Sequence, residues 1–123
     1  MDIISLAVAL ALGLSDEMRQ ANKCESLRDQ ALLHCWNELL DEQELAMKAA
    51  IGTHAEGRED LPEHYKLESA DAFHAAQAAW RQYAEKECIS KRTDAAGADR
   101  NSVEIGCLVQ QYKTRIQEIT MSY

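Results

Sequence analysis

A chain of 123 residues makes one domain with a modest core. Its 21 acidic and 13 basic side chains leave a net charge of −8, which argues against a nucleic-acid partner, because phosphate binding draws on clustered Lys and Arg. With one proline, five glycines and one phenylalanine in an Ala-, Leu- and Glu-rich background, the composition favours helices over a sandwich or barrel. The acidic balance suits a cationic protein partner through long-range steering, and equally suits simple solubility.

Ile3–Leu14 is an apolar run, interrupted among its side chains only by Ser5, and carries the small-x-small patterns Ala7-Val8-Ala9 and Ala9-Leu10-Ala11. It falls short of the ~20 residues a membrane span needs and matches the hydrophobic part of a signal peptide. Only Met1-Asp2 precede it, without the usual basic residue. Residues 1–14 are therefore read as a signal-peptide-like segment and 15–25 as a polar lead-in. A single helical domain over 26–121 follows.

The first helix is expected over Ser26–Ile51. Leu32, Cys35, Trp36, Leu39, Ala46, Met47 and Ala50 form its apolar stripe, flanked by Leu33, Leu40 and Ile51. Gly52, Gly57 and Leu61-Pro62 punctuate a connection over Gly52–Glu63, with Pro62 placed to open the next helix. That second helix, about Glu63–Ser90, holds the strongest helical pattern, with Phe73, Ala76, Trp80, Tyr83 and Ala84 on one face. Lys91–Arg100 reads as a loop built on Thr93, Asp94, Gly97 and Asp99. Asn101 and Glu104 form a capping-box pattern for a third helix, whose stripe is Ile105, Leu108, Tyr112, Ile116, Ile119 and Tyr123. The expected architecture is an all-α, three-helix, up-down-up bundle, with room for a short extra helix in front.

Up-down-up packing brings the start of the first helix, the end of the second and the start of the third to one pole. Cys24, Cys35, Cys88 and Cys107 occupy those positions; four cysteines in so short a chain read as two disulfides if the protein is exported, and as reduced thiols if it is cytosolic. In one continuous helix Cys24 and Cys35 would stand ~16 Å apart, beyond the ~7 Å a bridge spans. Pairing Cys35 with Cys88 and Cys24 with Cys107 is preferred on that ground. The alternative, Cys24–Cys35 with Cys88–Cys107, requires a chain break between the first two.

The segment Ala76-Gln77-Ala78-Ala79-Trp80, with Tyr83 and Cys88 following, fits a pattern A-Q-x-A-W-x-x-Y-x-x-x-x-C. Gly97, Cys107 and Arg115 continue it, and Tyr112 stands where threonine is usual. This pattern resembles the lysozyme inhibitor LprI family of small secreted bacterial proteins, over about Cys24–Ile119. The resemblance implies a periplasmic or secreted helical protein that binds and inhibits a basic lysozyme-like cell-wall hydrolase. An immunity protein against a muralytic toxin is the close alternative, and a non-inhibitory envelope structural or stress protein the more distant one.

Catalytic and metal chemistry find little footing. The gaps from Cys24 to Cys35 and from Cys88 to Cys107 are not zinc spacings, and His54, His64 and His74 recur every ten residues, on different helix faces. No glycine-flanked serine elbow, phosphate-cradling glycine loop or Cys-x-x-Cys motif occurs. No enzyme activity, cofactor, metal or stable membrane span is expected. For partner binding the loop Lys91–Arg100 is favoured, through Arg92, Asp94 and Asp99, because nearby disulfides would stiffen it. Gln77, Trp80, Tyr83 and Arg115 are read as scaffold.

Overall fold

A computed structural model describes residues 24–95, 97 and 99–121. The signal-peptide-like segment, the lead-in up to residue 23 and Tyr123 at the end of the third stripe lie outside the described residues. Three helices follow in order: α1 over Asp29–Glu56, α2 over Glu63–Asp94 and α3 over Arg100–Met121. Among the described residues no helix is long and apolar enough to cross a membrane.

α3 is the shared element. α1 and α2 each pack along it, while their backbones scarcely approach one another. Beside Cys24 at one pole, Leu39 of α1 and Val109 of α3 are buried, with Leu32 and Trp36 packed against them. Toward the other pole Met47 and Ala50 of α1 meet Tyr112 and Ile119 of α3, with Phe73 and Trp80 of α2 closing the cluster. The paired positions climb together in α1 and α3 and run oppositely in α2, so the bundle is up-down-up as expected.

The first boundary lies later than the sequence pattern placed it. Leu27 N donates to the Cys24 carbonyl at 3.0 Å, Arg28 is extended, and Asp29 opens α1 with φ +55°, left-handed backbone that aspartate accepts more readily than most residues. The far end also differs, because α1 continues through Gly52 to Glu56. One interior glycine costs only ~1 kcal/mol relative to alanine, and it does not stop an otherwise favourable helix. The α1–α2 connection is accordingly short, from Gly57 to Pro62.

α2 extends four residues beyond Ser90, to Asp94. Its buried line is narrower than the sequence stripe. Ala84 and Cys88 are buried and Phe73, Gln77 and Trp80 half-buried, but Tyr83 is 58% exposed and Ala76 also faces solvent. On α1, Ala46 is likewise exposed. A helix packed mainly along one neighbour buries a thin strip, and side chains at the edge of a broad apolar face stay wet.

Candidate functional site

The pole with the sulfur bridges is the best-organised part of the surface. Cys24 bonds Cys35 with Cα atoms 5.5 Å apart, and Cys88 bonds Cys107 at 5.4 Å. The cross-helix pairing is thus overturned. The turn through Ser26–Asp29 doubles the chain back before α1 begins, which removes the distance that disfavoured Cys24–Cys35. Gly106, beside Cys107, faces Trp36, beside Cys35; a Cβ there would stand 3.3 Å from the indole. All four cysteines therefore gather at one end, joined in neighbouring pairs.

The described residues of the α2–α3 connection lie at this pole, where side chains tie the two helix ends together. Arg92, placed on the expected loop, belongs to the last turn of α2 and forms an ion pair with Glu104 of α3, Nη1 to Oε1 at 2.6 Å. The Arg92 carbonyl accepts a hydrogen bond from Arg100 Nε at 3.2 Å. Gly97, at φ +87°, holds the left-handed backbone that glycine adopts without a Cβ penalty. Arg92, Gly97, Arg100 and Asn101 line a shallow polar recess beside the turn. Asp94 ends α2 and Asp99 precedes α3; both are exposed, and among the described residues neither joins an ion pair.

Of the three residues picked as contacts, the structure leaves two carboxylates on the surface and ties the third, Arg92, into the brace. The capping box is also rearranged, since Asn101 lies inside α3 and Glu104 spends its carboxylate on Arg92. Arg100 was missed as an individual position, and the sequence signal for it was only its place at the end of a charged loop.

Gln77 bridges the three helices. Its Nε2 donates to Met47 Sδ of α1 at 3.3 Å, and its Oε1 accepts from Arg115 Nε of α3 at 3.0 Å. Arg115 also pairs with Glu118 at 3.2 Å and stands 6.0 Å from the Phe73 ring centroid. Trp80 meets Tyr112 edge-on, with centroids 5.2 Å apart. These contacts give Gln77, Trp80 and Arg115 structural roles; Tyr83, exposed, takes no part in this packing.

The sequence reading placed His54 in the first connection and weighed it only as a metal ligand; its place in the core was missed. It stacks on Phe73 at 4.0 Å near the end of α1 and is buried. Burial, then the positive charges of Arg58 and Arg115, lower its pKa below the ordinary imidazole value. The signal was present, because His54 continues the Met47–Ala50 stripe at the next helical step. Among the described residues no group of three potential metal ligands comes together.

Comparison with known proteins gives a single result of weight. No curated protein and no solved structure matches the chain. The family model described as "Lysozyme inhibitor LprI" matches residues 20–119, spanning both bridges, all three helices and the braced turn. The chain belongs to the lysozyme inhibitor LprI family.

Proposed function

We propose that this protein works outside the cytoplasm, in the periplasm or as a secreted molecule, and blocks a basic lysozyme-type cell-wall hydrolase by one-to-one contact. The observation that carries the reading is the family match over residues 20–119. Two disulfides favour an oxidising compartment, and the charge of −8 favours attraction to a basic enzyme.

The α2–α3 turn is the proposed leading edge. Occluding a substrate groove requires a protrusion whose shape is set before contact, since ordering a loose one costs about 0.5–1.5 kcal/mol per immobilised side chain. The Cys88–Cys107 bridge, the Arg92–Glu104 pair and the Arg100 bond supply that stiffness. In this reading Asp94 and Asp99 meet the hydrolase's cationic rim, the exposed guanidinium of Arg100 faces acidic groups in its cleft, and Arg92 holds the turn in place. The protein performs no chemistry of its own.

Titration of purified, oxidised protein into a basic lysozyme acting on cell walls tests the proposal. Lysis should fall in proportion to added inhibitor and level off near one equivalent. Unchanged lysis at severalfold molar excess refutes inhibition of that enzyme. Intact mass and N-terminus of protein recovered from the envelope test the compartment.

A further inference from the structure

Because the α1 and α2 backbones each pack along α3 and scarcely approach one another, an open groove of about 160 Å³ runs between them with α3 as its floor. Leu40 forms the α1 wall, Trp80 the α2 wall, and Leu108 and Tyr112 the floor. Glu44 stands on one lip and Glu85 on the other. Among the described residues neither carboxylate takes part in an ion pair or a side-chain hydrogen bond. Arg81 also borders the groove and is likewise not paired with Glu85, one turn away.

We propose that this groove receives an arginine or lysine side chain of the bound hydrolase. Its volume accommodates one long side chain rather than a loop. The apolar and aromatic lining suits the methylene stem and the cation, which gains about 0.5–2 kcal/mol against an aromatic face. The two lip carboxylates outweigh Arg81 and leave a net negative mouth. An apolar or anionic occupant would leave both charges unused. Placement supports the same partner, since Glu85 and Arg92 are seven residues apart. That is two helical turns, ~10 Å along the same side of α2, so a protein seated on the α2–α3 turn overhangs the groove. The identity of the partner rests on the proposed function; the preference for a cation does not.

Two measurements separate these claims. In the first, a blocked triarginine peptide is added to the full chain while the indole N–H resonances are followed by NMR. The Trp80 signal should move with saturation and the Trp36 signal should stay. Glu44→Gln with Glu85→Gln should weaken this binding about fivefold, and Arg81→Gln should strengthen it about threefold, as expected for two exposed attractive charges removed in the first case and one repulsive charge in the second. A still Trp80 signal at 10 mM peptide overturns the proposal, as does an equal response to tricitrulline or to the double variant. Movement of Trp80 on concentrating the protein alone would assign the groove to a second copy, and also overturns it.

In the second measurement, lysozyme affinity of the E44Q/E85Q variant is compared with that of E56Q/D60N, which removes the same charge at the opposite pole. A loss about fivefold greater for the groove variant supports the hydrolase as the source of the cation; equal losses overturn that assignment. A wild-type chain that answers to triarginine but inhibits no lysozyme would sink the proposed function and leave the groove's chemistry standing.

Discussion

Replacing Cys88 and Cys107 together by alanine separates the stiffness of the α2–α3 turn from the stability of the whole chain. The bridge closes a sequence separation of 19 residues, and releasing such a loop restores unfolded-state entropy worth about 3 kcal/mol. Cys88 is fully buried, so loss of its sulfur adds about 1 kcal/mol of packing. The expected loss is about 4 kcal/mol, read as urea unfolding followed by circular dichroism. The matching control is C24A/C35A. That bridge spans 11 residues, worth about 2.8 kcal/mol by the same relation, and Cys24 is equally buried. The two variants should therefore lose nearly equal stability and differ in inhibition. Titrated into lysozyme near 15 °C, where domains of this kind are close to their most stable, C88A/C107A should show an inhibition constant raised about tenfold or more. C24A/C35A should stay within about threefold, since it leaves the turn braced. Equal inhibition constants would refute the idea that turn rigidity contributes to binding. A stability loss under 1 kcal/mol for either variant would refute the loop-closure account.

Gln77→Ala deprives Arg115 of its acceptor and Met47 of its contact, and should cost about 1–3 kcal/mol in urea unfolding; Gln77→Glu should recover part of that by giving Arg115 a carboxylate partner. His54 has a folded pKa below its ordinary value of 6.5, so its contribution to stability is fully present above that pH and is lost as pH falls through the lower folded value. Thermal midpoints should drop on acidification below about pH 6.5, and His54→Gln should flatten that part of the profile. Arg92→Ala should cost at most about 1 kcal/mol of stability, because both partners of the ion pair remain partly exposed, yet should weaken inhibition measurably by releasing the turn. Neutralising Asp94 and Asp99 should slow association with a basic lysozyme severalfold at low salt and little at 0.5 M salt, as read from stopped-flow binding rates.

Much of the fold was legible because long helices announce themselves by period. Leu39, Met47 and Ala50 on α1 and Tyr112, Ile116 and Ile119 on α3 stood on the expected stripes and do form the core. Tyr83 and Ala76 misled for a reason found in the tertiary arrangement. Sequence period shows that a face is apolar, but how much of it is covered depends on how the other helices are placed, and α2 packs along α3 while touching α1 through a few side chains only. The bridges misled through a backbone angle. Nothing in the letters Ser26-Leu27-Arg28-Asp29 announces left-handed geometry at Asp29, and without that reversal Cys24 and Cys35 look too distant to bond. The candidate surface was legible as a charged loop, but its brace was not. Arg92 and Glu104 lie twelve residues apart on different helices, and only their packing shows that Arg92 is also tied to α3.

The dependence of α1 and α2 on α3 also orders events in time. The ribosome makes α3 last of the three, so the first two emerge without the surface that would bury their apolar sides. Cys88 waits for a mate that arrives nineteen residues later. Until then the polypeptide has little to hold it compact, and a narrow translocation channel that accepts only extended chains would find it still threadable. Folding then finishes on whichever side of the membrane the final helix comes to rest, and sulfur closure completes it only where the surroundings are oxidising.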